Sequence, residues 1–291
     1  MLPLLWATLS AAFQAGAAKI DVTPTVLPVI VNCGFAEKTS DKVTSPLYAK
    51  ALVISNEKET LALATVDSCM MPRPLLDRAK ALAKERTGIP LDRILVSATH
   101  THSAPAAMAC LGSDAQPGYA EFLAEKIAGA IAQAHAHRVP AQLGAAAIDV
   151  PTHTHSRRFL YRRDRPLTDP FGQKNVFANM HPGYLHPDAT GPSGPVDSGL
   201  TLLSVQTKEG APLAVLANYS MHYFGSAGLA ADYAGVFSAQ LQARLKAPED
   251  FVTIFTQGTS GDLHWMDYSK PKVDLTIDQY TKGLVDAAEK A

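Results

Sequence analysis

The residues best suited to chemistry lie in Ala98-Thr99-His100-Thr101-His102-Ser103. The apolar run before them, centred on Ile94-Leu95-Val96, reads as a buried strand over residues 93–98. The run turns polar at its C-terminal end, which is where open α/β sheets bind ligands. Side chains alternate in extended backbone, so His100 and His102 are expected on one side of the chain. Two imidazoles on one face can share a metal, or one can hold the metal while the other meets a substrate. The competing reading is a pair of exposed or hydrogen-bonded histidines without a ligand.

Two more strand ends repeat the pattern. The apolar run 213–217 hands over to Asn218-Tyr219-Ser220-Met221-His222, and His222 is the natural third nitrogen ligand, with a satisfied core histidine as the alternative. The run 251–255 hands over to Thr256-Gln257-Gly258-Thr259-Ser260-Gly261-Asp262-Leu263-His264. Its glycines permit tight turns or close backbone approach, and exposed amides there could stabilise an oxyanion. A plain surface turn explains Gly258 and Gly261 equally well. Strands of one sheet can bring these three ends together.

The elements that must position these ends follow from periodicity. Residues 19–24 alternate and stop at Pro24, as a strand does. Runs 47–55 and 60–66 are joined by Asn56-Glu57-Lys58-Glu59 as a hairpin, and runs 200–206 and 213–219 by Thr207-Lys208-Glu209-Gly210. Leu75, Leu76, Ala79, Leu82 and Ala83 set a helix over 72–87, with Pro72 or Pro74 in its first turn. Phe122, Ile127, Ile131 and Ala134 set another over 118–138, and 142–150 reads as a strand. Helices follow over 236–246 and from about Thr276. Residues 151–198, rich in Pro, Gly and His, read as a long functional loop or linker. The expected architecture is a layered α/β fold with a mixed β-sheet, built from hairpins plus helical crossovers. No duplicated unit is recognisable, and the second Thr-His-Thr-His at 152–155 is read as coincidence.

Composition narrows the function classes. With 26 basic and 27 acidic residues the formal charge is −1, so nothing in the charge favours nucleic acid. Apolar residues make up 47% of the 291, enough for a large core. Cys33, Cys69 and Cys110 form no C-x-x-C pair, at least one must be unpaired within the chain, and buried small hydrophobes are the simplest reading. Residues 1–12 are apolar and end in Ser10-Ala11-Ala12, the pattern of a signal peptide without a basic start, so export to the periplasm or exterior is expected. No run is long enough for a transmembrane span, and two tryptophans, Trp6 and Trp265, make no membrane argument.

The stretches 15–24, 98–103, Ser156-Arg157-Arg158, Asn218–His222 with Asp232-Tyr233-Ala234-Gly235, and 257–262 carry a further signal. Together these five resemble the N-terminal catalytic domain of the neutral/alkaline non-lysosomal ceramidases and their bacterial relatives, so residues 13–291 are expected to form that domain. The stretches run in family order over nearly the whole chain. The resemblance implies an amide hydrolase with a single Zn2+, acting on a small-molecule or lipid-like N-acyl substrate. It makes His100 and His222 zinc ligands, His102 the contact to the substrate carbonyl or transition state, and Arg157 a residue lining the site. His102 or His264 would shuttle a proton, and Arg158, Asp232, Tyr233, Gly261 and Asp262 would meet substrate. The chain departs from the family in three ways. The family's remaining zinc ligands, a Glu and a Tyr, come from beyond position 291, so the chain is expected to be C-terminally truncated; His264 stands where Ser is frequent, and Ser156 where the family has Asn.

Other readings follow from the same residues. A non-catalytic ligand-binding paralogue with a degenerate metal site would use the basic run Arg157, Arg158, Arg162, Arg163 and Arg165 with Phe159 and Tyr161, whose planar guanidinium groups suit anionic or carbonyl groups. That run otherwise reads as a solvated loop. A metallo-phosphoesterase would need carboxylates near the strand ends, and few are there. His135 and His137 read as helix-end residues, and His153 and His155 as loop residues.

Overall fold

The strand Tyr48–Ser55 shows how the layers arise. Ala49, Ala51 and Val53 face one way and pack on helices, while Leu52 and Ile54 face the other way and pack on strands. A strand buried on both faces needs a layer on each side. The computed structural model describes residues 13–291; the expected export segment 1–12 lies outside them.

Eight strands make the main sheet: β1 (Gln14–Asp21), β2 (Tyr48–Ser55), β3 (Thr60–Val66), β4 (Ile94–Ala98), β5 (Val139–Asp149), β6 (Gly199–Thr207), β7 (Pro212–Tyr219) and β8 (Val252–Gln257). Four helices accompany them: α1 (Arg73–Thr87), α2 (Tyr119–Ala136), α3 (Asp232–Leu245) and α4 (Ile277–Lys290). The strand order is β8-β7-β6-β5-β1-β2-β3-β4. The β2–β3 and β6–β7 pairs are antiparallel hairpins, whereas β3–β4 and β7–β8 are parallel and joined through α1 and α3. The layered, mixed α/β expectation is borne out.

The order also reveals a duplication that the side-chain pattern hides. The succession strand, insertion, hairpin, helix, parallel strand, helix occurs twice, as β1-β2-β3-α1-β4-α2 and as β5-β6-β7-α3-β8-α4. The two units join through a short antiparallel pairing of β1 with β5, Gln14 opposite Pro140 and Ala15 opposite Val139. The expectation of no duplicated unit is therefore corrected at the level of topology. The two Thr-His-Thr-His copies do not occupy equivalent places: one follows β4, the other follows β5.

The sheet folds over at the β1–β5 junction, so its two halves face each other. Ala15, Leu52, Ala141, Val205, Ala214, Val252 and Ile254 fill the space between them. Outside lie α1 and α2 on β1–β4, and α3 and α4 on β6–β8. The result is four layers, helix–sheet–sheet–helix, and the edge strand β8 comes to lie beside β4 at the opposite edge.

Local signals set the helices. Pro74 sits in the first turn of α1, and Gly88, in the left-handed region, ends it by donating to the Lys84 carbonyl. Thr276 and Gln279 form a capping box at α4. On α2 the buried stripe is Leu123, Ile127, Ile131 and Ala134, and Phe122 faces outward, because positions four apart share a face and 122 falls off that row. A side chain on Gly16 of β1 would overlap the Ala134 carbonyl, so glycine lets α2 lie close on the sheet.

Residues 151–198 are more ordered than a loop. Arg158–Tyr161 is flanked by Ala178–Met180 and Ala189–Pro192 in a small sheet, and Leu167–Thr168 pairs with Lys174–Val176. His155–Ser156 pairs with Leu263–His264, which ties the insertion to the segment after β8. Cys33 and Cys69 are joined in a disulfide rather than buried as separate thiols, and Cys110 is free.

Leu52 is fully buried between the sheet halves. Leu52→Ala should lower unfolding stability by about 2–5 kcal/mol, because apolar contact is lost and a cavity left. A denaturant titration with a loss under about 1 kcal/mol would contradict a packed interface between the halves.

Candidate metal centre

Four strand ends meet at one end of the fold. Val66 of β3 is level with Ala98 of β4, and Tyr219 of β7 with Gln257 of β8. Beyond them lie Cys69, His100, His222 and Ser260. The Gln257 side chain donates to the carbonyls of both Thr99 and His222, at 2.8 and 3.0 Å, so the β4 and β7 ends are joined through β8.

His100 leaves β4 with a φ of 62°. This corrects the extended backbone expected through residues 99–102. A non-glycine residue in the left-handed region costs of order 1–3 kcal/mol and persists where its surroundings impose it. The turn brings the ring back over the β3 end, where His100 Nδ1 lies 2.7 Å from the Cys69 carbonyl. A carbonyl only accepts, so Nδ1 carries the proton and Nε2 presents its lone pair. His222 is held the same way, its Nδ1 3.0 Å from the Ser260 carbonyl.

The two free Nε2 atoms are 3.1 Å apart, and His102 Nε2 is 3.3 Å from that of His100. All three lie within 4.8 Å of one another. With Nδ1 protonated on both anchored rings, neither Nε2 has a hydrogen to offer the other. Two nitrogens bound tetrahedrally at 2.0–2.1 Å from a metal would stand about 3.3 Å apart. The donors present therefore fit a divalent metal that favours imidazole nitrogen. Among the described residues no carboxylate joins this cluster.

His102 differs from its neighbours. Among the described residues no backbone carbonyl anchors its ring, which instead stacks on Tyr223 with centroids 3.9 Å apart and planes 18° apart. Burial first, then the neighbouring His100, pulls its pKa down to about 3. Burial, then Arg157, lowers His222 to about 4. His264, fully buried with Nδ1 unpartnered among the described residues, is lowered to about 3 by burial and then by His181. Its ring meets Tyr223 and His181 edge-on, each at 5.3 Å between centroids, so it stands across Tyr223 from the cluster.

Arg157 forms a wall of the site. Its Nε and Nη2 both donate to the Gly261 carbonyl, at 3.1 and 2.5 Å, and its backbone N–H donates to the Asp262 carbonyl. Gly261 and Asp262 thus position Arg157 through backbone oxygens, and the Asp262 side chain is exposed. Arg158 is exposed on its strand, Arg162 pairs with Asp164, and Arg163 lies over Phe177.

Asp232 and Tyr233 are buried behind the cluster. The Asp232 carboxylate accepts from the backbone N–H groups of Phe224, Gly225 and Tyr233 and from the Ser226 hydroxyl. The Tyr233 hydroxyl donates to the Met221 carbonyl. Both brace the turn after His222. At Gly258 a Cβ would overlap the Ser220 hydroxyl, which donates to Asp197 and accepts from the Thr259 N–H.

Sequence reasoning missed the carbonyl anchors at Cys69 and Ser260, and also Tyr223, His181 and Tyr268. His181 Nδ1 is 2.5 Å from the Tyr268 hydroxyl. Tyr223 was within reach of inspection, since it follows His222 directly. Carbonyl anchors carry no side-chain signal. His153 packs on Tyr280 and His155 lies near Asp267, both away from the three-imidazole cluster.

The family description "Neutral/alkaline non-lysosomal ceramidase, N-terminal" matches residues 13–265. No curated protein matches the chain. Among solved structures, the neutral ceramidase of Pseudomonas aeruginosa is similar over 96% of this chain and 44% of its own, with a TM-score of 0.71 and 17% identity. A ceramidase complexed with C2 is similar over 88% of this chain and 39% of its own, with a TM-score of 0.65 and 18% identity. At such identities the likeness is one of fold, and this chain spans less than half the length of either structure. The family match takes in four strand ends, the three imidazoles and Arg157. The chain belongs to the neutral/alkaline non-lysosomal ceramidase family and corresponds to its N-terminal part.

Proposed function

We propose that this chain carries the metal-binding part of a zinc-dependent amide hydrolase acting on N-acyl, ceramide-like substrates. One observation carries the reading: two imidazoles with their Nδ1 protons committed to carbonyls turn bare Nε2 atoms toward a common point, 3.1 Å apart. His100 and His222 would hold Zn2+ there. When bound, Zn2+ polarises a carbonyl and lowers the pKa of water to about 7. Family membership supports the amide substrate class, and the fold shared with a ceramidase complexed with C2 agrees with it.

The protein's own groups supply the rest. His102 is unanchored, neutral at physiological pH and close to the cluster, which supports a role toward the substrate carbonyl and the moving proton. His264 stands one ring further out, so direct transfer falls to His102. The Gly261 carbonyl takes two of the five N–H donors of Arg157, and the others are available to a substrate oxygen. The expected export of the chain fits a lipid substrate met outside the cytoplasm.

Substitution separates these roles. His100→Ala or His222→Ala should weaken Zn2+ binding by more than about 100-fold, beyond the usual loss for an outer partner, and abolish hydrolysis of N-acyl amides. His102→Ala should retain the metal but lower kcat by about 100- to 10,000-fold. Metal analysis and turnover of the parent and variant proteins decide the matter. Hydrolysis that survives His100→Ala, or that is untouched by chelation, sinks the zinc reading.

Acid should destabilise the metal-free protein. The folded pKa values of His102, His222 and His264, at about 3, 4 and 3, lie below the unfolded value of 6.5. The unfolded chain therefore binds protons first as pH falls, and the stabilising contribution of neutral imidazoles, complete above pH 6.5, is lost progressively toward pH 4 to 3. Denaturant midpoints measured across this range should fall on acidification; a midpoint that rises would show that these rings are not held neutral.

A further inference from the structure

We propose that Gln257 is the positioning residue that sets the spacing between His100 and His222; the inference rests on the zinc reading above. Gln257 ends β8, between the ends of β4 and β7. Its Nε2 donates to the Thr99 carbonyl at 2.8 Å and to the His222 carbonyl at 3.0 Å. These are the backbone groups next to one metal-facing histidine and of the other. The Tyr233 hydroxyl lies 3.3 Å from the same nitrogen, and its own hydrogen goes to the Met221 carbonyl.

The orientation of the amide is forced. Carbonyl oxygens only accept, so the NH2 end must face Thr99 and His222, and its two hydrogens serve these nearer acceptors. Among the described residues Oε1 is buried without a partner, and the donors of the side chain go to the groups that join the strand ends.

Its consequence is specific to the site. The β4 and β7 ends belong to different structural units and lie in opposite sheet halves. The Cys69 and Ser260 carbonyls each fix one ring within its own unit. Gln257 spans the units and fixes the two backbones relative to each other. Shape and hydrogen bonding to a ligand's support typically matter by about 10- to 100-fold in metal affinity.

The test uses Gln257→Met, which keeps side-chain length and removes both donors, and Gln257→Asn, which keeps the donors on a shorter arm. Zn2+ dissociation constants are measured by competition with a chromophoric chelator, and Co2+ spectra report the ligand geometry. In parallel, nitrogen NMR of the metal-free proteins reads the imidazole tautomers. Gln257→Met should bind Zn2+ about 10- to 100-fold more weakly than the parent and show an altered Co2+ spectrum, with Gln257→Asn between the two. The Nδ1–H tautomers of His100 and His222 should persist in both variants, since their carbonyl anchors lie within each unit. Folded variants with the parent's affinity and spectrum overturn the proposal, and if Gln257→Met does not fold, an unchanged Gln257→Asn does so. If the parent itself binds neither ion, the zinc reading fails and this inference falls with it, whereas a binding parent with unaffected variants removes only the role of Gln257.

Discussion

The site depends on two hydrogen bonds from imidazole Nδ1 to backbone carbonyls, His100 to Cys69 and His222 to Ser260. Each bond selects a tautomer and so decides which nitrogen is left bare. Two bare nitrogens 3.1 Å apart repel unless a cation lies between them. The fold must therefore hold an unfavourable approach, and much of the architecture can be understood as doing so. The left-handed turn at His100, the Asp232 carboxylate that gathers the turn after His222, and the tight contact at Gly258 all act on the same two backbone segments.

The topological duplication gives this arrangement a simple origin in geometry. Sheet register makes Val66 equivalent to Tyr219 and Ala98 to Gln257, so Cys69 corresponds to His222 and His100 to Thr259. In each unit the end of the hairpin strand touches the end of the crossover strand. The first unit supplies a carbonyl from the hairpin end and an imidazole from the crossover end. The second reverses the assignment. Neither unit alone contains both rings, so the cluster exists only once the sheet has folded over and the two halves have packed on Ala15, Leu52, Val205 and Ile254. Core packing between the halves and the geometry of the imidazole cluster are thereby the same structural event.

Much of this was legible in the residues. Strand ends show as apolar runs that turn polar, which is why His100 and His222 were visible, and helix periodicity with Pro74 and Thr276 placed the helices within a few residues. What was not legible depends on tertiary geometry. Thr-His-Thr-His reads as alternating strand, and only the pull of the Cys69 carbonyl shows why it turns. The duplication is hidden because the two insertions, between β1 and β2 and between β5 and β6, differ in length and content. Asp232 and Tyr233 are polar residues in a family-like motif, yet most of their partners are backbone atoms of the turn after His222, which carry no side-chain signal. The Cys33–Cys69 pairing joins residues 36 apart in sequence, which spacing alone does not indicate.

The insertions give the pseudo-symmetric frame its asymmetry. Each leaves its unit after the first strand and returns to the strand ends. The first brings Cys33 to Cys69, which places the disulfide beside His102. The strand Val29–Val31 in this insertion is bridged to the segment after His102 through Val31 and Pro105. The second insertion pairs His155–Ser156 with Leu263–His264 and carries Arg157 and His181 to the other side. One wall is thus a loop closed by the Cys33–Cys69 disulfide, and the other presents a guanidinium and edge-on imidazoles. A symmetric cleft would accept a ligand in two orientations with equal energy. Opposite walls of different chemistry remove that degeneracy, so the duplicated frame supplies the converging strand ends and the unequal insertions supply direction.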